Sequence, residues 1–318
     1  VRIGQNPAKF VDEVARPKRV TVAVLSYVPF LSGFHAQSLD VLKACLDSIL
    51  DHTTGDFDLM VFDNGSEETT VAYLTDLHQR GLIQYLLLSQ ANLGKGGAWN
   101  IMLDGAPGEI VAYTDCDALF YEGWLGQSLV LLEGFPNVGM VTSRPFRTPP
   151  ELYSGTVAWA EQQPEATVER GSFVPWEVFS EFDLSLGQDE SEVRQRFEST
   201  EDVRIHYRDM TAFVGGSHYQ FVAYKRVLKQ FLPFEMNRPM GQVRQLDRRM
   251  NEAGYLRLMT EKPLMMNMSN TLNAVPTPGQ PTDRRAERGW GKRLLELRWV
   301  KRLLLGLYNA IFRWYYAE

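Results

Sequence analysis

Apolar and polar positions along the chain follow two periods in turn. Residues 19–27, RVTVAVLSY, form an apolar, β-branched run that predicts a strand buried on both faces. After a loop with Pro29 and Gly33, Leu39, Leu42, Leu46, Ile49 and Leu50 recur at helical spacing within 37–52. FDLMVF at 57–62 predicts a second strand, closed by DNGS, and 68–81 predicts a helix capped by Gly81. LIQYLLLS at 82–89 is a third strand, and 91–106 reads as a Gly-rich loop leading into a helix. EIVAYT at 109–114, a helix over 123–135 and VGMVTS at 138–143 complete the first half.

Strand–helix alternation of this kind predicts an α/β fold with a mainly parallel sheet flanked by helices. Ligands of such sheets bind at the carboxyl ends of the strands. Segments 26–30, 63–66, 90–97 and 115–117 each follow a strand and become candidate site segments.

The second half is less regular. Five prolines between 144 and 210 predict long loops there. Residues 210–231 then read as a strand, a Gly-Gly turn, a strand and a helix start, and 242–255 as a helix ending near Gly254. PTPGQPTD at 276–283 has linker composition. The expected organisation is an N-terminal extension at 1–18, two halves of one domain at 19–145 and 146–275, that linker, and a helical extension at 284–318.

Composition narrows the class. With 318 residues and a net charge of −6, nucleic acid is not an expected partner. The charge is uneven: 284–318 holds nine Lys/Arg against three Asp/Glu, a net +6, leaving −12 for the first 283 residues. Cys45 and Cys116 read as reduced thiols of a cytoplasmic protein. No uncharged apolar run reaches the ~18–20 residues of a membrane span, and the first twenty residues lack the apolar core of a signal peptide.

Asp115 and Asp117 end the fourth strand with Cys116 between them. Along extended chain, residues two apart share a side. Two carboxylates there repel unless a hard divalent cation, Mn2+ or Mg2+, joins them, and such a cation also binds a diphosphate. The plainer reading is a pair of solvated loop aspartates. Asp63, with Asn64 and Ser66 behind it, can accept from a ribose hydroxyl or a base N–H, or can simply cap a helix. Gly94, Gly96 and Gly97, with Lys95, allow close approach of an anion to a helix start, or form a plain turn. Neither Walker A spacing nor a G-x-G-x-x-G after the first strand is present, which argues against a dinucleotide dehydrogenase.

VLSYVPF, VFDNGS, NLGKGGAWN, YTDCDALF and VGGSHYQFVAYKRVL, in this order over residues 19–270, resemble a family 2 glycosyltransferase of the GT-A fold, a Rossmann-like nucleotide-diphospho-sugar transferase. The resemblance implies a UDP- or GDP-sugar donor and a metal at Asp115 and Asp117. It implies that Asp63 contacts the nucleoside, that Ser26 and Tyr27 wall the base, and that Asn92, Gly94 and Lys95 lie near the nucleotide. It implies that Gly215, Gly216, Ser217 and His218 line the sugar site. The expected acceptor is a hydroxyl of a glycan, a lipid-linked molecule or a small molecule, and the expected outcome is inversion. A retaining enzyme on the same fold and a silent sugar-nucleotide-binding protein compete with that reading.

The chain departs from the family pattern in two places. The Glu-Asp pair expected a dozen residues before Ala-Gly-Tyr falls on Gln242 and Val243. Asp247, one helical turn on, becomes the candidate base and Glu235 the second. Asn267 stands where many relatives have a metal-touching His. Trp159 and Trp176 can stack on a sugar or pack in the core. The basic, aromatic tail at 284–318 suits peripheral contact with the cytoplasmic face of a membrane, or contact with an acidic surface of its own chain or another subunit.

Overall fold

The computed structural model describes residues 3–11, 13–186, 188–236 and 243–272. Gln242, the linker at 276–283 and the basic extension at 284–318 lie outside them. Residues 1–274 form one unit, and that unit alone is described.

The first half runs β1 (Val20–Ser26), α1 (Ser38–His52), β2 (Phe57–Asp63), α2 (Glu68–Gln79), β3 (Tyr85–Leu88), α3 (Gly94–Gly105), β4 (Ile110–Asp115), β5 (Ala118–Phe120), α4 (Trp124–Gly134) and β6 (Val138–Thr142). The second half runs α5 (Ser154–Gln162), β7 (Ala166–Gly171), α6 (Trp176–Ser185), α7 (Glu190–Ser199), β8 (Asp202–Tyr207), β9 (Met210–Val214), β10 (Gln220–Tyr224), α8 (Lys225–Leu228), α9 (Arg244–Glu252), β11 (Leu256–Met259) and β12 (Met265–Asn267).

Ten strands form one sheet in the order β3-β2-β1-β4-β10-β6-β11-β9-β8-β7, and β12 pairs with β5 in a small second sheet. β3, β2, β1 and β4 are parallel neighbours. β10 runs against both β4 and β6, β11 runs with β6, and β9, β8 and β7 alternate outward from it. The sheet is therefore mixed, with its larger share of strands pointing one way.

The apolar runs became strands because both faces of this sheet half are covered. Every residue of β1 is buried, as is every residue of β6. α3 seals one face through Trp99, Met102 and Leu103. Trp99 meets Tyr113, Phe221 and Phe234 edge-on, at centroid distances of 5.1, 5.6 and 5.2 Å. Such pairs add about 0.5–1.5 kcal/mol each beyond area burial.

Two expectations are corrected. Residues 144–210 are not long loops, since they hold three helices and two strands. α7 hides there because only Val193 of its ten residues is fully buried. β7, ATVERG, is an edge strand with charges, which weakens its apolar signal. The prolines occupy joints, with Pro175 as the N-cap of α6. The second correction concerns 91–97, where the helix begins at Gly94 itself, so Lys95, Gly96 and Gly97 are helical and buried rather than a loop.

Register brings the site together. Ser26 lies opposite Asp63, and Leu25 opposite Asp115. The chain order reverses at β1, with β2 and β3 on one side and β4 on the other, which opens a crevice at the carboxyl ends.

Candidate functional site

A cavity of ≈ 1310 Å³ occupies that crevice. Tyr27, Asn64, Asn92, Gly94, Lys95, Asp115, Cys116, Asp117, Ser217, His218 and Asn267 line its inner part. Arg144, Phe146, Arg147, Phe179 and Phe182 line its outer part.

Asp115 ends β4 and is gripped on both oxygens. Lys95 Nζ donates to Oδ2 at 2.6 Å, and the Tyr113 hydroxyl donates to Oδ1 at 2.5 Å. Burial, followed by the Asp115 charge, raises the Tyr113 phenol well above its ordinary range, so it stays a donor. The chain turns at Cys116 and Asp117, so strand alternation does not set the relation of the two carboxylates.

Asp117 is in a different state. Its Oδ1 is sealed from solvent and has no hydrogen-bond partner among the described residues. Burial first, then the Asp115 charge, pushes its carboxyl up to about 6, against the lowering effect of Asn267 and Lys95. The same surroundings push the Cys116 thiol up to about 12, so it is neutral. A hard cation suits this donor set: it would satisfy the orphaned Oδ1 and offset the repulsion from Asp115. Among the described residues no group of three His, Cys, Asp or Glu gathers around one point. Asn267 is buried beside Asp117, with its Oδ1 accepting from Ser269 N at 2.7 Å.

The loops after β2 and β3 are stitched to each other. Asn64 Nδ2 donates to Asn92 Oδ1 at 3.0 Å, and Asn64 Oδ1 accepts from Leu93 N at 2.9 Å. Asn92 Oδ1 also accepts from Gly94 N at 2.8 Å. These amides fix the rim where α3 starts.

Four expected contacts do not reach the cavity. Ser26 and Asp63 are wholly buried beneath it. Asp63 Oδ2 accepts from Ser66 N at 2.9 Å, the turn-capping alternative, while its Oδ1 and Ser26 Oγ have no partner among the described residues. Gly215 N donates to Arg257 O at 2.9 Å, and Gly216 O accepts from Arg257 Nη2 at 2.8 Å. These two glycines carry the backbone past Thr148 and Arg257, where a Cβ on Gly215 would strike the Thr148 side chain.

Asp247 lies behind the cavity wall. It is 3 % exposed, with Oδ2 at 2.8 Å from His218 Nδ1 and Oδ1 bonded to Arg257. Arg257 is fully buried and also donates to Leu152 O at 2.6 Å. The group of this chain that faces the cavity is His218, not Asp247. Glu235 is exposed and lies off the cavity. Trp159 packs on Phe135 and Tyr207, and Trp176 on Phe179 and Phe197, so neither tryptophan lines the cavity.

Sequence reasoning passed over Arg144 and Phe146 as cavity residues. The strand-end rule, applied to β6, points to SRPF at 143–146. For Arg257 no signal existed, because its acceptors come from residues 152, 216 and 247.

Residues 34–168 match the family model described as Glycosyl transferase family 2. A curated protein from Nostoc sp., described as an uncharacterized glycosyltransferase, is 33% identical over 76 residues, which is 24% of each chain. A solved mannosyltransferase from Pyrobaculum calidifontis, in complex with GDP-Man and Mn2+, aligns at 19% identity and TM-score 0.47 over 83% of this chain and 59% of its own. TarS 1-349 of S. aureus, in complex with UDP-GlcNAc, aligns at 14% identity and TM-score 0.45 over 77% and 56%. The chain thus spans about a quarter of the curated relative and under two thirds of these structures.

Proposed function

We propose, for a chain whose residues 34–168 belong to glycosyl transferase family 2, that it transfers a sugar from a UDP- or GDP-sugar to a hydroxyl of a glycan, lipid-linked or small-molecule acceptor, with inversion and with Mn2+ or Mg2+. The observation that carries this reading is the orphaned Oδ1 of Asp117 beside Asp115, in a cavity at the strand ends.

Asp117 would be the main protein ligand of the metal, with Asp115 second and Asn267 beside them. A bound divalent cation supplies a Lewis acid for the charge that builds on a departing diphosphate. The chain's own residues do the rest. Lys95, pinned by Asp115, adds a positive charge at the start of α3, where helix N–H groups favour an anion. Tyr27 and Asn92 offer an aromatic ring and an amide to a nucleoside, with Asn64 holding Asn92 in place from behind. Ser217 and His218 face the cavity from the β9–β10 side, where donor sugar and acceptor would meet.

The test is release of nucleoside diphosphate from a panel of UDP- and GDP-sugars with Mn2+. Turnover is expected with at least one donor, and Asp117→Ala should lower it by about 100-fold or more, the scale of losing one charge-stabilising group. A wild-type chain silent with every donor would sink the transfer reading and leave the sugar-nucleotide-binding alternative.

A further inference from the structure

We propose that the base of the reaction is His218, with Asp247 as the residue that positions it; this rests on the transfer reading above. The family's carboxylate pair falls on Gln242 and Val243, and Val243 is an apolar side chain only 1% exposed. The acid one turn further on, Asp247, has both oxygens engaged and does not line the cavity. The imidazole of His218 lines it and keeps 27% of its surface open.

The polarity of this chain of contacts fixes what each ring nitrogen does. Asp247 is ion-paired to Arg257, whose guanidinium can only donate. A carboxylate so held can only accept, so His218 Nδ1 carries the proton between them. In the neutral tautomer this puts the lone pair on Nε2. Among the described residues Nε2 has no hydrogen-bond partner, and it forms the open edge of the ring. A neutral imidazole, oriented from behind by a buried carboxylate, is a competent general base.

The other cavity carboxylates are placed for different work. Asp115 is held by Lys95 and Tyr113, and Asp183 by Arg196 at 2.5 Å. Asp117 is the metal candidate. Glu201 lies on the outer wall, beside Thr200 and Val203.

In the step, the acceptor oxygen bonds to the anomeric carbon as that carbon's bond to the diphosphate oxygen breaks. The nucleoside diphosphate leaves with the bonding pair. The acceptor's proton passes to His218 Nε2 and from there to solvent. With water as acceptor the same step is donor hydrolysis, so a natural acceptor is not required for the test.

Nucleoside diphosphate release is measured for wild type, His218→Ala and Asp247→Asn, with binding of UDP and GDP in Mn2+ followed separately. His218→Ala should lower kcat by about 100-fold or more, the low end of general-base effects, while UDP or GDP affinity stays within about threefold. Added imidazole should restore part of the lost rate to His218→Gly and none to Asp117→Ala. Asp247→Asn should lower kcat with nucleotide affinity kept; equal loss of both would mark a purely structural residue. Wild-type turnover with His218→Ala within about threefold of it overturns this inference alone, most directly if Glu201→Gln is the silent variant. No wild-type turnover with any donor overturns the parent reading and this one together.

Discussion

Without a bound cation, Asp117 costs the fold stability. Its carboxyl titrates at about 6 in the folded chain, against an ordinary value of 3.8. Between those values the native state holds a proton that the unfolded chain has released. Stability therefore falls as pH rises through that window, and the cost is fully present above about 6. A gap of this size is worth about 2–3 kcal/mol. In EDTA, Asp117→Asn should be more stable than wild type to urea at pH 7.5, with the gain shrinking below pH 6 and gone near pH 4. A variant less stable at pH 7.5 would contradict this. The Asp-x-Asp pair was legible in the sequence, and so was Lys95 as a charge. The bond between Lys95 and Asp115 was not, because it depends on α3 starting at Gly94. Asp247 was legible as an acid on a helix, but not as a buried one. It shares the buried face of α9 with Leu246 and Met250, and Arg257, which makes that burial tolerable, comes from β11.

At the level of elements, the turn after β2 is a tight joint beside the site. Gly65 has φ +88°, and a Cβ there would lie 3.0 Å from Ala91 C and 3.1 Å from Asn92 N. Gly65→Ala combines left-handed strain with a push on the β3 loop, and should cost about 1–3 kcal/mol. It should also weaken UDP or GDP binding, because Asn92 sits on that loop. Urea unfolding and calorimetric titration check the two effects, and unchanged stability would refute the first. β1, β2, β4 and β6 were readable because strands buried on both faces are continuous apolar runs. β7 and α7 were not, since an edge strand and a surface helix bury too little to leave such a run.

Over the whole molecule, the cavity is bordered by the parallel strands and by the outer strands β7 and β8 with α6 and α7. Buried arginines brace the outer wall, Arg144 to Glu181 at 2.7 Å and Arg147 to Asp202 at 2.7 Å. A ligand bound only by the folded chain stabilises all of it by mass action. Nucleoside diphosphate with Mn2+ at a hundred times its Kd should add about 2.7 kcal/mol, raising Tm by several degrees. EDTA should remove the increment, and a Tm indifferent to metal would count against Asp117 as its ligand. The α/β class was legible from strand–helix alternation, but the strand order was not. β10 enters between β4 and β6 from far along the chain, held by Gln220, whose Oε1 accepts from Ser143 N at 2.8 Å. No periodicity in the sequence reports such a partner.

Trp99 gives the site an optical reporter. Its indole is wholly buried, edge-on to Tyr113, with Lys95 Nζ 5.5 Å from the ring centroid. A cation over an indole face changes the field that its excited state experiences. Any ligand that draws Lys95 away from Asp115 therefore shifts the colour and brightness of Trp99 emission, and occupancy of the cavity can be read from the light of a residue that never touches what is bound.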